Sequence, residues 1–384
     1  MSVDPHHVTK NRYGHSEWAG AFGDLGTLIP FVAAYIAVLK MEASGVLVAF
    51  GIALIAVGSI YKTPFPVQPM KAIGAASVSQ AALIAGLGSG AVIAASLATG
   101  FIWLLLALTG LARRISLWVP RPALLGVIMG LGYSFMLEGL QMMAPTPWIA
   151  AAILALALLM SARPRVPAML VLLAIGACLA WFENPSLLRD LAAMEPSFKM
   201  PALAWSGLSA TDLWAGFFLL ALPQQPLTFG NAYMAIVDEN NRLFPDRPVT
   251  EKSVALSTGL MNIGSSFIGG IPMCHGAGGM AGHVSFGART GGSSIILGVC
   301  LLGAGLFLSS SVQTIFQMFP NSVLGVILFM AGLQLSLGSR DSGGEKADRF
   351  VILATSAVAI VHVGAAVVFG LLAYHAARRG WLRV

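Results

Sequence analysis

From Glu17 to Ala377 the chain is a near-continuous succession of apolar runs with small-residue interiors. Runs of this length and character read as membrane helices. They are predicted at 17–39, 43–60, 70–86, 90–111, 121–143, 148–161, 166–182, 211–235, 251–268, 276–287, 292–311, 321–338, 350–361 and 364–377, fourteen segments in all. With 57% hydrophobic and 10% charged residues, against about a quarter charged in a soluble domain, no stretch remains for a soluble domain. Met1 to Glu17 is polar and carries three histidines, so no cleavable leader is expected.

Charge orients the segments. Of the 22 Lys and Arg, eighteen fall on one side when fourteen segments are threaded with the N-terminus inside. Lys40, Arg189 and Lys199 fall on the other, and Lys71 lies within a segment. The side rich in basic residues is the cytoplasmic one. The run 350–377 is long enough for one tilted helix, but Arg349 and Arg378 would then lie on opposite sides; two short helices forming a hairpin keep both inside. A net charge of +6 is therefore read as cytoplasmic loops facing anionic lipid, not as nucleic-acid binding. Cys178, Cys274 and Cys300 are widely spaced and form neither a disulfide framework nor a metal pattern.

The chain also resembles itself. Trp18-Ala19-Gly20, Phe22 and Pro30 recur as Trp214-Ala215-Gly216, Phe218 and Pro226. Pro69-Met70 recurs as Pro272-Met273, and Leu125-Gly126-Val127-Ile128 as Leu324-Gly325-Val326-Ile327. Seven segments per repeat is an odd number, so the halves take opposite topology, the inverted repeat of many secondary transporters. The expected division is a cytoplasmic tail (1–16), a first repeat (17–182), an extracytoplasmic connector (183–210) and a second repeat (211–384).

In matching places of the two halves, Pro69-Met70-Lys71-Ala72-Ile73-Gly74 and Pro272-Met273-Cys274-His275-Gly276-Ala277-Gly278-Gly279 each open a small-residue helix. A helix that starts inside a membrane points unpaired N–H groups and a partial positive charge forward. Two such starts facing one point make an anion site near the midplane. Three prolines in Thr63–Pro69 exclude helix there and favour extended backbone. Lys71, an intramembrane cation costing roughly 3 kcal/mol unless paired, is read as a partner of a membrane carboxylate, a counter-charge for an anion, or both. Among the sixteen acids only Asp24 and Glu138 fall well inside segments, Glu138 near the outer end of its helix. Asp24 is expected to pair with Lys71, to carry a proton, or to do both. Leu222-Pro223-Gln224-Gln225-Pro226-Leu227-Thr228 is expected to break its helix and to offer two amides and a hydroxyl, neutral donors suited to an oxyanion. Cys274 and His275 are expected to line the cavity. No metal site or cofactor is expected, and the adjacent Cys274-His275 pair lacks a third member for enzyme chemistry.

Gly20–Thr27, Pro64–Ile73, Leu222–Thr228 and Met273–Gly279 resemble the signatures of the molybdate transporter family, distant kin of the sulfate permeases. The resemblance implies an all-α membrane protein with the seven-plus-seven, uracil-permease-like fold. In it a core domain (17–111 and 211–311) moves against a gate domain (121–182 and 321–377). It also implies import of a tetrahedral oxyanion, molybdate first and sulfate second, with tungstate not distinguished. The substrate-binding residues expected are Thr27, Gln68, Lys71, Ala72, Gly74, Gln224, Gln225, Thr228, Cys274, His275, Gly276, Ala277 and Gly278, with Asp24 for proton coupling. The expected partners are the oxyanion, protons, membrane lipid and a homodimeric copy. The expected location is the cytoplasmic (inner) membrane, with both termini inside. A sulfate carrier on the same fold is the nearest rival; a nucleobase carrier, an anion channel or a sensor is further off.

Overall fold

The computed structural model describes residues 10–37, 39–71, 73–74, 88–161, 168–338, 345–361 and 363–381. Three described helices are long and apolar enough to cross a bilayer: α3 (Ala43–Tyr61), α4 (Ser89–Thr109) and α6 (Arg121–Met143). A fourth, α15 (Gly292–Phe307), turns by 96° into the short pair Ser309–Phe316. Shorter apolar helices include α7 (Pro147–Ser161), α8 (Ala168–Glu183), α17 (Asn321–Gly338) and α19 (Val363–Arg378). Helices thus stand where the apolar runs predict them, with two limits. The third segment is described only at its start, through Gly74, and Ala72 lies outside the described residues. The number of crossings is set by length and composition for only these few helices.

The major packing pairs exchange partners between the halves. Helix α3 packs on α15, and α13 (Glu251–Phe267) packs on α4; helix α6 packs on α17. Hydrocarbon offers no hydrophobic drive for helices to associate, so contact must come from close van der Waals approach across small residues. Gly51 meets Gly298, and Gly132 meets Gly332, each with the partner's carbonyl where a Cβ would stand. Gly132 against Gly332 and Gly139 against Gly325 make α6 and α17 antiparallel. Helix starts carry local caps: Ser209 and Asp212 form a reciprocal capping box, as do Thr250 and Ser253.

Three departures from the sequence expectation have physical causes. The first segment is not one regular helix: α1 (His15–Ala21) passes through a 3₁₀ turn at Phe22–Asp24 into α2 (Leu25–Ala37). The eighth is not broken by Pro223 and Pro226. The α-helical stretch α11 (Leu222–Phe229) lies between π-helical turns at Gly216–Ala221 and Gly230–Ala235, and α12 (Ile236–Leu243) continues it beyond the expected end. The π turn at Gly216–Ala221 contains Leu219, whose carbonyl the Pro223 ring would strike in a regular α-helix, so the helix runs on through that proline. Short helices at Leu111–Ser116 and Leu187–Ala192 were too brief for periodicity to reveal.

The split of 350–377 is reproduced. Helices α18 (Lys346–Val361) and α19 pack on each other, and Arg378 reaches Glu345 at 2.9 Å and Asp348 at 3.4 Å. The connector lies over the ends of α13 and α15: Ser197 and Lys199 donate to Phe307 and Leu306, Ala204 donates to Phe267, and Lys199 pairs with Glu42.

Candidate functional site

Extended backbone at the centre of a membrane protein needs partners that water cannot supply. Here β1 (Gln68–Pro69) pairs antiparallel with β2 (Met273–Cys274), Gln68 opposite Cys274 and Pro69 opposite Met273. Proline has no N–H, so this ladder cannot lengthen, and side chains satisfy what it leaves. Met70 donates to the Pro272 carbonyl at 2.9 Å. Asn262 clasps Met273 from both sides, donating to its carbonyl at 2.6 Å and accepting from its N–H at 2.9 Å. Ser265 donates to Ile271 and Ser294 to Phe65, each at 2.8 Å. Asn262, Ser265 and Ser294 escaped the sequence reading, although polar residues inside apolar helices were the available signal.

His275 belongs to this scaffold. Its Nδ1 lies 2.9 Å from the Pro66 carbonyl, which can only accept, so that nitrogen carries the hydrogen. Nε2 is left to accept from Ser257 at 2.7 Å, and Tyr61 braces Ser257 at 2.8 Å. With both nitrogens used and the ring buried, His275 ties the first half to the second; it presents no free nitrogen to a ligand. Cys274 is buried in β2.

The pairing sets two helix starts side by side. Helix α14 (Ala277–Ser285) begins from Gly276, and Lys71, Ile73 and Gly74 begin the other. The glycines are required by proximity: a Cβ on Gly276 would overlap the Gln68 amide, and one on Gly278 would overlap the Phe135 ring. Around these starts stand three groups. From the first segment, Asp24 and Thr27 are buried; Gln68 donates to Asp24 Oδ1 at 2.6 Å and to Thr27 Oγ1 at 2.8 Å, and Thr27 donates to Asp24. From α11, Gln224 accepts from the Ile73 N–H at 3.2 Å and donates to Thr228 at 3.0 Å. Gln225 instead donates to Ala221 on its own helix at 2.7 Å, directed away from this cluster.

Lys71 finds a partner other than the one first considered. Its ammonium lies 3.8 Å from Glu138 and 3.6 Å from the centroid of the Phe135 ring, both on α6. Asp24 is taken up by Gln68 and Thr27. The pairing and the cation–π contact offset the cost of an intramembrane cation. Sequence reasoning missed Phe135, Phe31 and Tyr35. Phe31 and Tyr35 follow Asp24 and Thr27 at helical spacing, on one face of the first segment. Tyr35 is fully buried beside Gly74, with no hydrogen-bond partner for its hydroxyl among the described residues.

The cluster is enclosed between two cavities. One of about 570 Å³ opens among Pro30, Ala33, Asn184, Gln313, Gln317 and Asn321. Another of about 320 Å³ lies at the other end of the α6–α17 pair, lined by Arg121, Asp238, Asn241 and Glu251. Among the described residues no group of His, Cys, Asp and Glu could hold a metal ion. What remains is a cluster of hydrogen-bond donors, one cation, the buried Asp24 carboxylate and the half-exposed Glu138 carboxylate.

Known proteins share both sequence and fold. The profile of the family described as "Molybdate transporter of MFS superfamily" matches residues 16–135 and again 216–335. Molybdate transporter 2 of Arabidopsis thaliana is 32% identical, over 92% of this chain and 85% of its own. Molybdate transporter 1 of the same plant is 30% identical, over 90% and 84%. The transmembrane domain of the cyanobacterium bicarbonate transporter BicA superposes with a TM-score of 0.58 at 16% identity, covering 94% of this chain and 99% of that one. The murine Slc26a9 anion transporter, in its inward-facing state, gives 0.62 at 11% identity, covering 100% and 70%. The fold is that of these anion transporters, the protein is a multi-pass membrane transporter and not an enzyme, and the chain belongs to the molybdate transporter family.

Proposed function

We propose that this chain is a secondary active transporter that imports molybdate across the cytoplasmic membrane by alternating access. The observation that supports the reading is the pairing of Gln68–Pro69 with Met273–Cys274, directly before Lys71 and Gly276. A tetrahedral dianion there would take N–H groups at Gly276–Gly278 and the Lys71 charge, with Thr27, Gln68, Gln224 and Thr228 turning to it from the hydrogen bonds they make among themselves and with Asp24. His275 and Gln225 serve the scaffold in this reading. Asp24 is the residue for proton coupling, since an intramembrane acid hydrogen-bonded within the site changes charge where the anion binds.

Two observations support the inverted repeat: the family profile matches twice, about 200 residues apart, and the major helix pairs exchange partners between halves. The core unit (17–111 and 211–311) would shift against the gate unit (121–182 and 321–377), opening the site to one cavity and then the other. Loops placed on one side by the charge threading do meet: Arg247 donates to the Lys62 carbonyl at 2.6 Å, Arg378 pairs with Glu345, and Lys199 with Glu42. The side that holds Arg247, Lys62, Arg378 and both termini is read as cytoplasmic from its basic residues.

Isothermal titration of the purified protein with molybdate, sulfate and tungstate tests the reading. Saturable molybdate binding is expected. Saturation by sulfate alone would replace molybdate with the sulfate carrier on the same fold; no binding of any tetrahedral oxyanion would overturn the site.

A further inference from the structure

We propose that Glu138 is a second proton carrier, so that each dianion crosses with two protons and without net charge. The inference rests on the oxyanion site proposed above.

The starting point is the charge around Lys71. The titratable groups acting on its ammonium among the described residues are Glu138, Asp24 and the Cys274 thiol. With both carboxylates ionised and the thiol neutral, the cluster holds one positive and two negative charges. A dianion added to that arrangement would leave three negative charges in excess around Lys71 and the buried Asp24. Unpaired charge is severely penalised in such surroundings. One proton on each carboxyl returns the cluster to the single negative excess it had when empty. Asp24 alone leaves one charge uncompensated.

Geometry singles out Glu138 as the second acid. Its carboxylate is the ion partner of Lys71, at 3.8 Å, so an anion that uses the Lys71 charge must compete with it. A proton on Glu138 removes that competition and frees the ammonium. The Glu138 side chain is 42% exposed, whereas Asp24 is only 4% exposed. Glu138 is the more open of the two acids, and Asp24 exchanges protons through the cluster.

Among the described residues no third carboxylate stands with Lys71. Of the elements packed on α6, α17 carries no charged residue between Asn321 and Gly338. The charges of α18 and α19 gather at the Arg121 end, because Gly126 lies against Ile352 and Thr355, and Gly130 against Ser356 and Ala359. Lys346, Asp348, Arg349, His375 and Arg378 are thus near the far end of α6, some 25 Å of helix from Glu138. Helix α14 offers only His283, whose Nδ1 meets the Gly20 carbonyl at 2.8 Å, and the π turn at Gly230–Ala235 only Tyr233.

The experiment counts protons. Molybdate is titrated into the purified protein at neutral pH, in buffers of differing ionisation enthalpy. Two protons taken up per anion are expected for the unaltered protein, one for Glu138→Gln and two for Glu138→Asp. In vesicles, molybdate uptake by the unaltered protein should ignore an imposed membrane potential, and uptake by Glu138→Gln should follow it. A proton count unchanged in Glu138→Gln would overturn the proposal even if affinity changes, because a residue that only positions Lys71 alters affinity alone. Absence of molybdate binding by the unaltered protein is a different failure, that of the oxyanion site itself.

Discussion

Gln68 and Asp24, separated by 44 positions, are joined by a 2.6 Å hydrogen bond, while the other end of the same amide rests against Gly276. One side chain therefore registers the first segment, the extended stretch and the start of α14 at once. A Cβ on Gly276 would overlap the Gln68 amide. We expect Gly276→Ala to lose about 1–3 kcal/mol of stability through overpacking and to abolish measurable molybdate binding. Thermal unfolding in detergent and titration calorimetry read both effects; full affinity in that variant would show that Gln68 is not fixed by this contact.

Lys71 is the only cation of the cluster among the described residues. Replacing it by Ala removes a charge-assisted contact of about 1.5–3 kcal/mol, a 10- to 100-fold loss of affinity. Lys71→Ala should remain monodisperse, because the partner left behind, Glu138, is 42% exposed and not a fully buried charge. Wild-type affinity in a folded variant would remove Lys71 from the binding site.

Asp24→Asn keeps the shape and the hydrogen bond from Gln68 but cannot change charge. Molybdate binding should persist, whereas accumulation in vesicles driven by an inward proton gradient should fall to the level of passive exchange. Retained gradient-driven accumulation would exclude Asp24 from coupling.

The Tyr35 hydroxyl is buried beside Gly74, without a partner among the described residues. Such a group costs stability unless something else occupies it. Tyr35→Phe should leave the unfolding temperature unchanged or slightly higher while weakening molybdate binding about fivefold, the net worth of about 1 kcal/mol for one hydrogen bond. Equal binding by the two proteins would mean that the hydroxyl does not reach the anion.

Asn262 supplies both hydrogen bonds that close Met273. Asn262→Leu leaves a buried N–H and a buried carbonyl unmet, at about 1–3 kcal/mol each. We expect a marked drop in unfolding temperature together with lost binding, although Asn262 does not line the cluster. Unfolding as late as in the unaltered protein would show that the extended stretch is held by other means.

Membrane helices, the ends of α6 and α17, and the hairpin of α18 and α19 were all legible in the residues, as was the extended stretch before Lys71. Each follows from local rules: apolar length, basic flanks, and prolines that forbid helix. Asp24, Glu138 and Lys71 were equally visible, because charge inside an apolar run is rare for energetic reasons. Which acid meets Lys71 was not visible. That depends on how α6 lies against the third segment, a packing of elements more than sixty residues apart, and it places Glu138 where Asp24 was also eligible. Local rules misjudged the eighth segment, since a proline is read as a break unless π turns accommodate it, and they do so only within a packed bundle. Likewise His275 and Gln225 carry side chains suited to an anion, yet the folded chain spends one on Pro66 and Ser257 and the other on Ala221. Sequence determined which groups the membrane must bury; tertiary packing decided which of them face one another.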